Sequence, residues 1–180
     1  MTAYVAFLRA VNVGGKNKLP MAGLRDALTA AGLDEVATVL QSGNVVFRLR
    51  ASAGAAAKLI AGTIEECFGL QIGVVIRSAA ELAAVAATNP FLDTEPDCDP
   101  KTLHVAFLSK RPAAAAVAKL DSDRSPPDAL AVLGREVYLS YPEGSGRSRL
   151  TLDYLEKALG VTGTARNWRT VQRLATLLEA

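Results

Sequence analysis

The sequence predicts an α+β protein, a duplicated ferredoxin-like fold of two βαββαβ halves packed into one compact body with extra linking and C-terminal helices. Two observations favour this class. Strand and helix patterns follow the βαββαβ order in each half, and the tetrapeptide Val-Ala-Phe-Leu occurs at 5–8 and again, at the corresponding position, at 105–108. The predicted domains are residues 1–92, the first half with a linking helix, and residues 93–180, the second half with a C-terminal helix.

Six elements are predicted in the first half. In chain order they are a strand at 4–8, a helix at 20–31, strands at 36–40 and 45–49 around a tight turn, a helix ending at Gly69, and a strand at 72–76. Pro20 is expected at the first helical position, with Leu19 before it as the N-cap. The residues predicted to face inward from the second helix are Leu59, Ile60, Ile64 and Cys67.

The second half repeats this order. Its predicted elements are a strand at 103–108, a helix at 112–120, strands at 129–133 and 137–141, a helix at 149–159, and a short strand near 161–164. Between the halves, Ser78 and Glu81 have the spacing of a capping box, and residues 93–100 form a Pro- and Asp-rich connector, the expected domain boundary. A final helix carries Trp168, Val171, Leu174, Ala175 and Leu178 on one apolar face.

Several predicted strands are apolar at consecutive positions, which indicates sheets covered on both faces. Half of the 180 residues are hydrophobic, so a chain of this size buries roughly 70% of its unfolded surface and needs no metal or disulfide to fold.

Composition excludes several classes of function. Twenty basic residues stand against 18 acidic ones, and a net charge of +2 is too small for a polybasic nucleic-acid binder. Cys67 and Cys98 lack the spacing of a zinc site or a disulfide framework, so no metal or cofactor is expected and a reducing cytoplasm fits best. Neither a signal peptide nor a membrane-spanning stretch is predicted.

The segment from Arg9 to Lys18 is the first candidate binding site. It holds five cationic or amide side chains, two glycines and no acid, and it leads into the first helix, whose free N–H groups favour an anion. The residues singled out in it are Arg9, Asn12, Gly14, Gly15, Lys16 and Lys18. The spacing of a Walker A loop is absent. The alternative interpretation is a glycine turn with solvated lysines.

The hairpin turn at 41–44 adds three hydrogen-bonding side chains, those of Gln41, Ser42 and Asn44. A βαβ crossover makes the first two strands parallel. The loop after the first strand and the turn after the second therefore leave the same end of the sheet, roughly 10 Å apart, and we expect them to contact one ligand. Turns also select such residues for local reasons.

Basic residues of the second half form the third candidate group. Arg147 precedes the fifth predicted helix, while Arg166 and Asn167 are expected at the start of the last one. Each arginine could bind a phosphate or carboxylate; alternatively it pairs with an acid of the connector or faces water. The ligand hypothesis requires these residues and the first-half loop to share one cleft.

Evidence for catalysis is thin. His104, the only histidine, lies in an apolar strand, which is typical of a structural imidazole, and no serine occupies a G-x-S-x-G elbow. The carboxylates at 93, 95, 97 and 99 lack EF-hand spacing and read as a solvated connector. No catalytic residue is assigned, and whether the protein is an enzyme stays open.

Four segments give the chain a specific resemblance to a known family. They are 6–18 (AFLRAVNVGGKNK), 41–47 (QSGNVVF), 89–91 (NPF) and 163–168 (GTARNW). The chain resembles, over essentially its whole length, a bacterial family catalogued as domain of unknown function 1697. This resemblance implies two RRM-like, that is ferredoxin-like, halves and brings no substrate or reaction. Ala10 stands where the family is expected to have glycine.

Three functions follow from these observations. The first is binding of, with or without action on, a small anion such as a nucleotide or phosphorylated metabolite. The second is RNA or single-stranded DNA binding of RRM type, which ranks lower because the strands offer few aromatics, mainly Tyr4, Phe7 and Phe47. The third is an interaction module for an acidic partner; no membrane partner is expected.

Overall fold

The computed structural model describes residues 1–179. Contacts within the chain divide it into two units, one formed by Met1–Ala83 together with the C-terminal residues from Leu174, the other by Ala84–Arg173. The halves predicted from the sequence, 1–92 and 93–180, have different bounds and stay a prediction.

The first unit contains one four-stranded sheet with two helices in its connections. Its elements in chain order are β1 (Thr2–Leu8), α1 (Met21–Ala30), β2 (Asp34–Val39), β3 (Asn44–Leu49), α2 (Ala53–Phe68) and β4 (Val74–Ser78). The strands lie in the order β2-β3-β1-β4, and every neighbouring pair is antiparallel. Because β3 lies between them, β1 and β2 run in the same direction, as the crossover predicts.

The second unit has the same strand order, β6-β7-β5-β8, again antiparallel throughout. Its elements are α4 (Pro90–Thr94), β5 (Leu103–Leu108), α5 (Ala114–Ala118), β6 (Ala129–Leu133), β7 (Glu136–Ser140), α6 (Leu152–Leu159) and β8 (Gly163–Asn167). Two helices, α3 (Ala79–Ala87) and α7 (Trp168–Glu179), each contain a point at which the chain passes from one unit to the other.

Each unit has its own hydrophobic core. In the first, alternate residues of β1 such as Ala6 and Leu8 pack with Leu24 of α1 and Ile60 of α2. In the second, β5 and β7 pack with α6, where Leu155 is fully buried. The residues of β1 and β5 that point the other way are buried as well, since Val5, Phe7, Val105 and Phe107 have no exposed surface. Consecutive apolar residues therefore predicted correctly that both faces are covered.

Two helix ends follow the sequence signals. The capping box at α3 is present, with the Ser78 amide donating to Glu81 Oε2 at 2.8 Å and the Glu81 amide to Ser78 Oγ at 3.2 Å. Gly69 ends α2 in the left-handed conformation at φ 67°, which glycine adopts without steric cost.

Cys67 was predicted to face inward, and this prediction is wrong. Its side chain is exposed, whereas the neighbouring Phe68 is partly buried against the core. The aromatic ring lies beside Gly23 of α1, where a Cβ would come within 3.5 Å of it. At the end of α2 it is therefore Phe68, the larger apolar side chain, that packs beside α1, and the side chain of Cys67 points to solvent.

The last strand and helix also differ from the prediction. A short strand was expected near 161–164, with Arg166 and Asn167 at the start of the final helix. The strand β8 instead runs from Gly163 to Asn167 and pairs with β5 from Leu108↔Gly163 to His104↔Asn167. A Cβ on Gly163 would lie 2.8 Å from the Phe107 carbonyl oxygen, so glycine permits this close pairing. Long-range ladder hydrogen bonds outweigh the weak β-propensity of this segment, and α7 begins only at Trp168.

Other boundaries shift by a few residues. The N-cap of α1 is Pro20 rather than Leu19. Of the predicted helix 112–120 only Ala114–Ala118 is α-helical, and α6 begins at Leu152 because the Thr151 side chain caps it by accepting from the Tyr154 amide at 3.2 Å. Such caps fix where a helix starts.

Within residues 1–179, no helix is both long and apolar enough to cross a membrane. The same residues contain no group of three or more His, Cys, Asp and Glu side chains placed to hold a metal ion.

Candidate functional site

The loop between β1 and α1 is a small hairpin. Val13 and Lys16 form an antiparallel bridge, the Lys16 amide donates to the Val13 carbonyl at 3.1 Å, and the Asn12 amide donates to the Asn17 carbonyl at 3.1 Å. Gly14 and Gly15 connect the two sides at φ 59° and 74°. A two-residue connection of this kind needs positive φ at both positions, so the paired glycines give the loop a defined shape.

Asn12 fastens this hairpin to its surroundings. Its Nδ2 donates to the carbonyl oxygens of Leu19 at 3.0 Å and Gln41 at 2.8 Å, and its Oδ1 accepts from the Leu19 amide at 2.9 Å. A second amide, that of Asn17, donates to the Ala10 carbonyl at 3.0 Å. Both donors of the Asn12 side chain are used within the protein, so its role is to position the loop.

The turn after β2 lies against the hairpin. The Asn12–Gln41 hydrogen bond joins the two directly, and the Leu8 amide donates to the Gly43 carbonyl at 2.8 Å. Gly43 has φ 82° and no room for a side chain, because a Cβ there would clash with Val11 and lie 2.9 Å from the Leu8 Cβ. The expectation that this turn and the loop after β1 meet at one end of the sheet is confirmed.

The turn itself is shorter than the 41–44 predicted from the sequence, because β3 begins at Asn44. Asn44 was placed in it as a ligand-binding residue, but it is the first residue of β3 and is fully buried. Its Nδ2 donates to the Val39 carbonyl at 2.8 Å and to Ser42 Oγ at 3.1 Å. Pairing opposite Val39 draws the asparagine into the ladder, where it holds the turn; Gln41 and Ser42 remain at the surface.

Three cations line this end of the first unit. Lys16 and Lys18 are exposed, and no carboxylate of the described residues forms an ion pair with either. Arg9 is half-buried, and its side chain runs over Gly73, where a Cβ would come within 3.5 Å of the Arg9 Cβ and Cδ. The Arg9 amide donates to the Gly73 carbonyl at 2.9 Å. Sequence reasoning missed Gly73, for which no motif exists.

The first turn of α1 adds partial positive charge. Pro20 makes no side-chain cap, so the N–H groups at the start of this helix have no side-chain acceptor. The hairpin, the turn and this helix start, which we call the hairpin site, together present lysine ammonium groups, backbone amides and the polar side chains of Gln41 and Ser42. These groups are suited to bind an anion.

In the second unit, Arg166 lies in a different environment from the one predicted. It is part of β8 and only 8% exposed. Its Nη1 donates to Thr164 Oγ1 at 2.7 Å and to the Ala165 carbonyl at 2.8 Å. Burial lowers the pKa of its guanidinium to about 10. Because strand pairing with β5 places it inside the protein, Arg166 is a buried strand residue rather than part of a helix-opening loop.

Asn167 and Arg147 also have local explanations. Asn167 donates through Nδ2 to the Lys101 carbonyl at 3.0 Å and accepts through Oδ1 from the Arg169 amide at 3.0 Å, so it holds the start of α7. Arg147 is exposed at the end of a 3₁₀ turn. It lines a pocket of about 380 Å³ whose walls include Asp128 and Glu143, carboxylates that oppose anion binding there.

Fold and site together define an α+β protein with two four-stranded antiparallel sheets and a basic hairpin loop at one end of the first. The chain belongs to the family described as protein of unknown function (DUF1697), whose model matches residues 1–138, and the family predicted from the sequence is thereby confirmed.

A search of solved structures found similarity to the conserved bacterial protein SP0830 from Streptococcus pneumoniae. The match has a TM-score of 0.78 and 21% sequence identity, and covers 100% of this chain and 99% of the other. At this identity the similarity shows the fold alone. A search of curated proteins found no match.

Proposed function

We propose that the hairpin site binds a small anionic ligand such as a nucleotide or a phosphorylated metabolite. The observation that carries this proposal is a loop with two exposed lysines that form no ion pair within residues 1–179, which Asn12 fastens by three hydrogen bonds to Leu19 before α1 and to the neighbouring turn. A loop already held in shape loses little conformational entropy when a ligand binds.

Each part of the site has a role in this proposal. Lys16 and Lys18 supply charge, and Arg9 adds another cation directly after β1. The backbone at Gly14 and Gly15 can approach a ligand closely, since a glycine presents no side chain. Gln41 and Ser42 contribute polar groups. Asn12 and Asn44 position the rest. The proposal concerns binding alone and assigns no catalytic residue.

RNA or single-stranded DNA binding of RRM type has weaker support. Recognition of that type stacks bases on exposed aromatic side chains of the sheet. Tyr4 and Phe47 instead stack on each other with ring centroids 5.7 Å apart, within the hydrophobic core, and Phe7 has no exposed surface. An acidic protein partner is the remaining alternative, since it would use the same lysines.

We also propose that the chain is a duplicated ferredoxin-like, RRM-like protein. The two Val-Ala-Phe-Leu segments occupy β1 and β5, each with two neighbouring strands in its sheet. In register, Val5 pairs with Arg77 and Val105 with Arg166. Both arginines are buried, and each donates through Nη1 to the carbonyl of the residue before it. Equivalent unusual residues at equivalent register positions support a common origin of the units. A shared cleft with Arg147, Arg166 and Asn167, and a cytoplasmic location, stay predictions.

A thermal-shift series with inorganic phosphate, ATP and a panel of sugar phosphates tests the anion proposal. A ligand at 100 times its Kd stabilises the folded state by about 2.7 kcal/mol. We expect one probe to raise the melting temperature of the wild type and to do so much less in Lys16→Ala and Lys18→Ala. Lys58→Ala removes an exposed lysine of α2 and serves as the matched control, with an unchanged response.

The salt dependence of binding distinguishes nucleic-acid binding from binding of a small anion. Affinity for a single-stranded oligonucleotide would fall with added salt by about 0.7 log units per log of salt for each phosphate neutralised. If the oligonucleotide binds in this way while no small anion shifts the melting temperature, the nucleic-acid hypothesis replaces the proposal. Equal ligand responses in Lys16→Ala and Lys58→Ala would also contradict it.

A further inference from the structure

The strand β6 has an open edge. It pairs with β7 alone, through five consecutive residue pairs from Ala129↔Ser140 to Leu133↔Glu136, and it stands at the end of the strand order of its sheet. No backbone group of 129–133 hydrogen-bonds elsewhere among the described residues. Every second N–H and C=O of β6 therefore points away from the sheet, where another strand can pair with it.

Composition separates β6 from the other three edge strands. It reads Ala-Leu-Ala-Val-Leu, with no charge, glycine or proline, and Leu133 is 46% exposed. By contrast β2 contains Asp34 and Glu35 and an irregular register between Asp34 and Ala37, and β4 and β8 each contain an arginine. Charges and bulges are the usual protection of a sheet edge, and β6 has neither.

We propose that β6 is the interface of a homodimer, in which two copies pair their β6 strands antiparallel about a two-fold axis at Ala131. The pairing would join two four-stranded sheets into one of eight strands, and because the contact is isologous it closes at two copies. Along the ladder Ala131 faces its own copy, while Val132 and Leu133 face Leu130 and Ala129 of the second copy.

The ends of the strand select this register. With the axis at Ala131, Asp128 of one copy lies opposite Gly134 of the other. An axis at Val132 would leave Ala129 and Leu130 of each copy without a partner residue in the other β6, because that strand ends at Leu133. An axis at Leu130 would bring Pro127, which has no N–H, into the ladder opposite Leu133. Only the central register avoids both conflicts.

Charge complementarity supports a second copy as the occupant. Beside β6 lies a pocket of about 310 Å³ lined by Arg111, Val117, Val132 and Gly134. Side chains alternate between the faces of a strand, so Asp128, which directly precedes β6, and Val132 lie on one face of the sheet, the face on which Arg111 lines the pocket. Self-pairing thus places Asp128 of one copy, whose Oδ2 accepts from Ser125 Oγ at 2.9 Å, at the end of β6 in the other copy, beside the pocket that Arg111 lines.

Sedimentation velocity and light scattering on the full chain test the proposal. We expect the wild type to show twice the 18.9 kDa of the chain at high concentration and to dissociate on dilution. Ala131→Lys and Ala131→Glu each place like charges face to face on the axis, so each variant alone should be monomeric. An equimolar mixture of the two should restore a dimer. Ala55→Lys, at an exposed alanine of α2, is the control and should remain dimeric.

A wild type that stays monomeric at every concentration would overturn the proposal, as would a dimer that persists in both Ala131 variants, or a mixture that remains monomeric. Should the variants fail to fold by circular dichroism, hydrogen exchange of the wild type decides. Amides of β6 that exchange more slowly in the dimer than after dilution support the interface, and amides that exchange at equal rates reject it.

Discussion

Backbone conformations that residues other than glycine rarely adopt are concentrated at the hairpin site. Among residues 1–179, five non-glycine residues have positive φ, and four of them, Ala10, Asn12, Asn17 and Leu40, lie in the hairpin or at the turn beside it. Each costs of order 1–3 kcal/mol and persists only where the surrounding structure imposes it. Such strain is frequent at binding sites, so its location agrees with the proposed function.

Ala10 shows what a single residue contributes to this strain. It has φ 52°, and its position is the one at which the sequence analysis expected glycine in the family. The hydrogen bonds from Asn17 to its carbonyl and from the Arg9 amide to Gly73 fix the backbone on both sides. Left-handed geometry at this position therefore comes from the surrounding contacts, and alanine accepts it at a cost in stability.

His104 makes stability depend on pH. Burial lowers the pKa of its imidazole below the ordinary value of 6.5, with the backbone of Thr102 opposing part of that shift, and the ring packs edge-on against Tyr141 with centroids 5.2 Å apart. Between the folded and unfolded pKa values the unfolded chain binds more protons. The free energy of unfolding therefore falls as pH decreases through 6.5, and this contribution levels off below the folded-state pKa.

Urea denaturation between pH 7.5 and 5.5 measures this effect. His104 is the only histidine, and the pKa of Tyr141, raised to about 12 by burial, keeps that phenol neutral throughout. We expect His104→Gln to show a flatter dependence of unfolding free energy on pH than the wild type. Parallel curves for the two proteins would mean that His104 has the same proton affinity folded and unfolded.

At the scale of elements, the hairpin between β1 and α1 is held by two asparagines that form different numbers of side-chain hydrogen bonds. Asn12 and Asn17 both have left-handed backbones, at φ 54° and 47°, so replacing either by alanine incurs a similar backbone cost. Asn12 makes three side-chain hydrogen bonds and Asn17 makes one. The difference between the two substitutions therefore isolates the additional bonds.

We expect Asn12→Ala to lower the free energy of unfolding by about 1–3 kcal/mol more than Asn17→Ala, because net contributions near 1 kcal/mol are usual for each hydrogen bond. Chemical denaturation of both variants and the wild type provides the measurement. Equal losses would show that the three bonds of Asn12 contribute no more to stability than the single bond of Asn17, and the loop would then not be fastened as the geometry indicates.

A helix or strand could be predicted from the sequence when the residues that stabilise it lie within the element itself, and not when they lie far away in the chain. Residues 103–108 form β5 as predicted, because five of its six residues are apolar and fully buried or nearly so. β8 was misplaced because its residues Gly163–Asn167 carry no apolar run, and only pairing with β5 makes them a strand. The loop 9–18 was identified as a site from its charges and glycines, but the bonds that shape it join residues as distant along the chain as Arg9 and Gly73, which local patterns do not reveal.

At the scale of the whole molecule, the same element order and strand order occur in both units, and the sequence predicted this from periodicity and one repeated tetrapeptide. The buried arginines escaped that reasoning. Arg166 was interpreted as a surface ligand group, and Arg77 was not singled out, because a charged side chain inside a sheet contradicts the ordinary burial pattern. Only the register, Val5↔Arg77 and Val105↔Arg166, shows that each lies opposite the valine of a Val-Ala-Phe-Leu segment.

This equivalence predicts matched responses to substitution. Arg77 is 1% exposed and Arg166 8% exposed, and each donates through Nη1 to its preceding carbonyl. Lysine has no fork of donors and its ammonium is more strongly hydrated, so Arg77→Lys and Arg166→Lys should each lower the free energy of unfolding by about 1–3 kcal/mol. Arg173→Lys, at an exposed position of α7, should change it by less than about 0.5 kcal/mol. Calorimetry of the three variants would contradict the prediction if only one buried arginine proved sensitive, since both are buried and both donate to the preceding carbonyl.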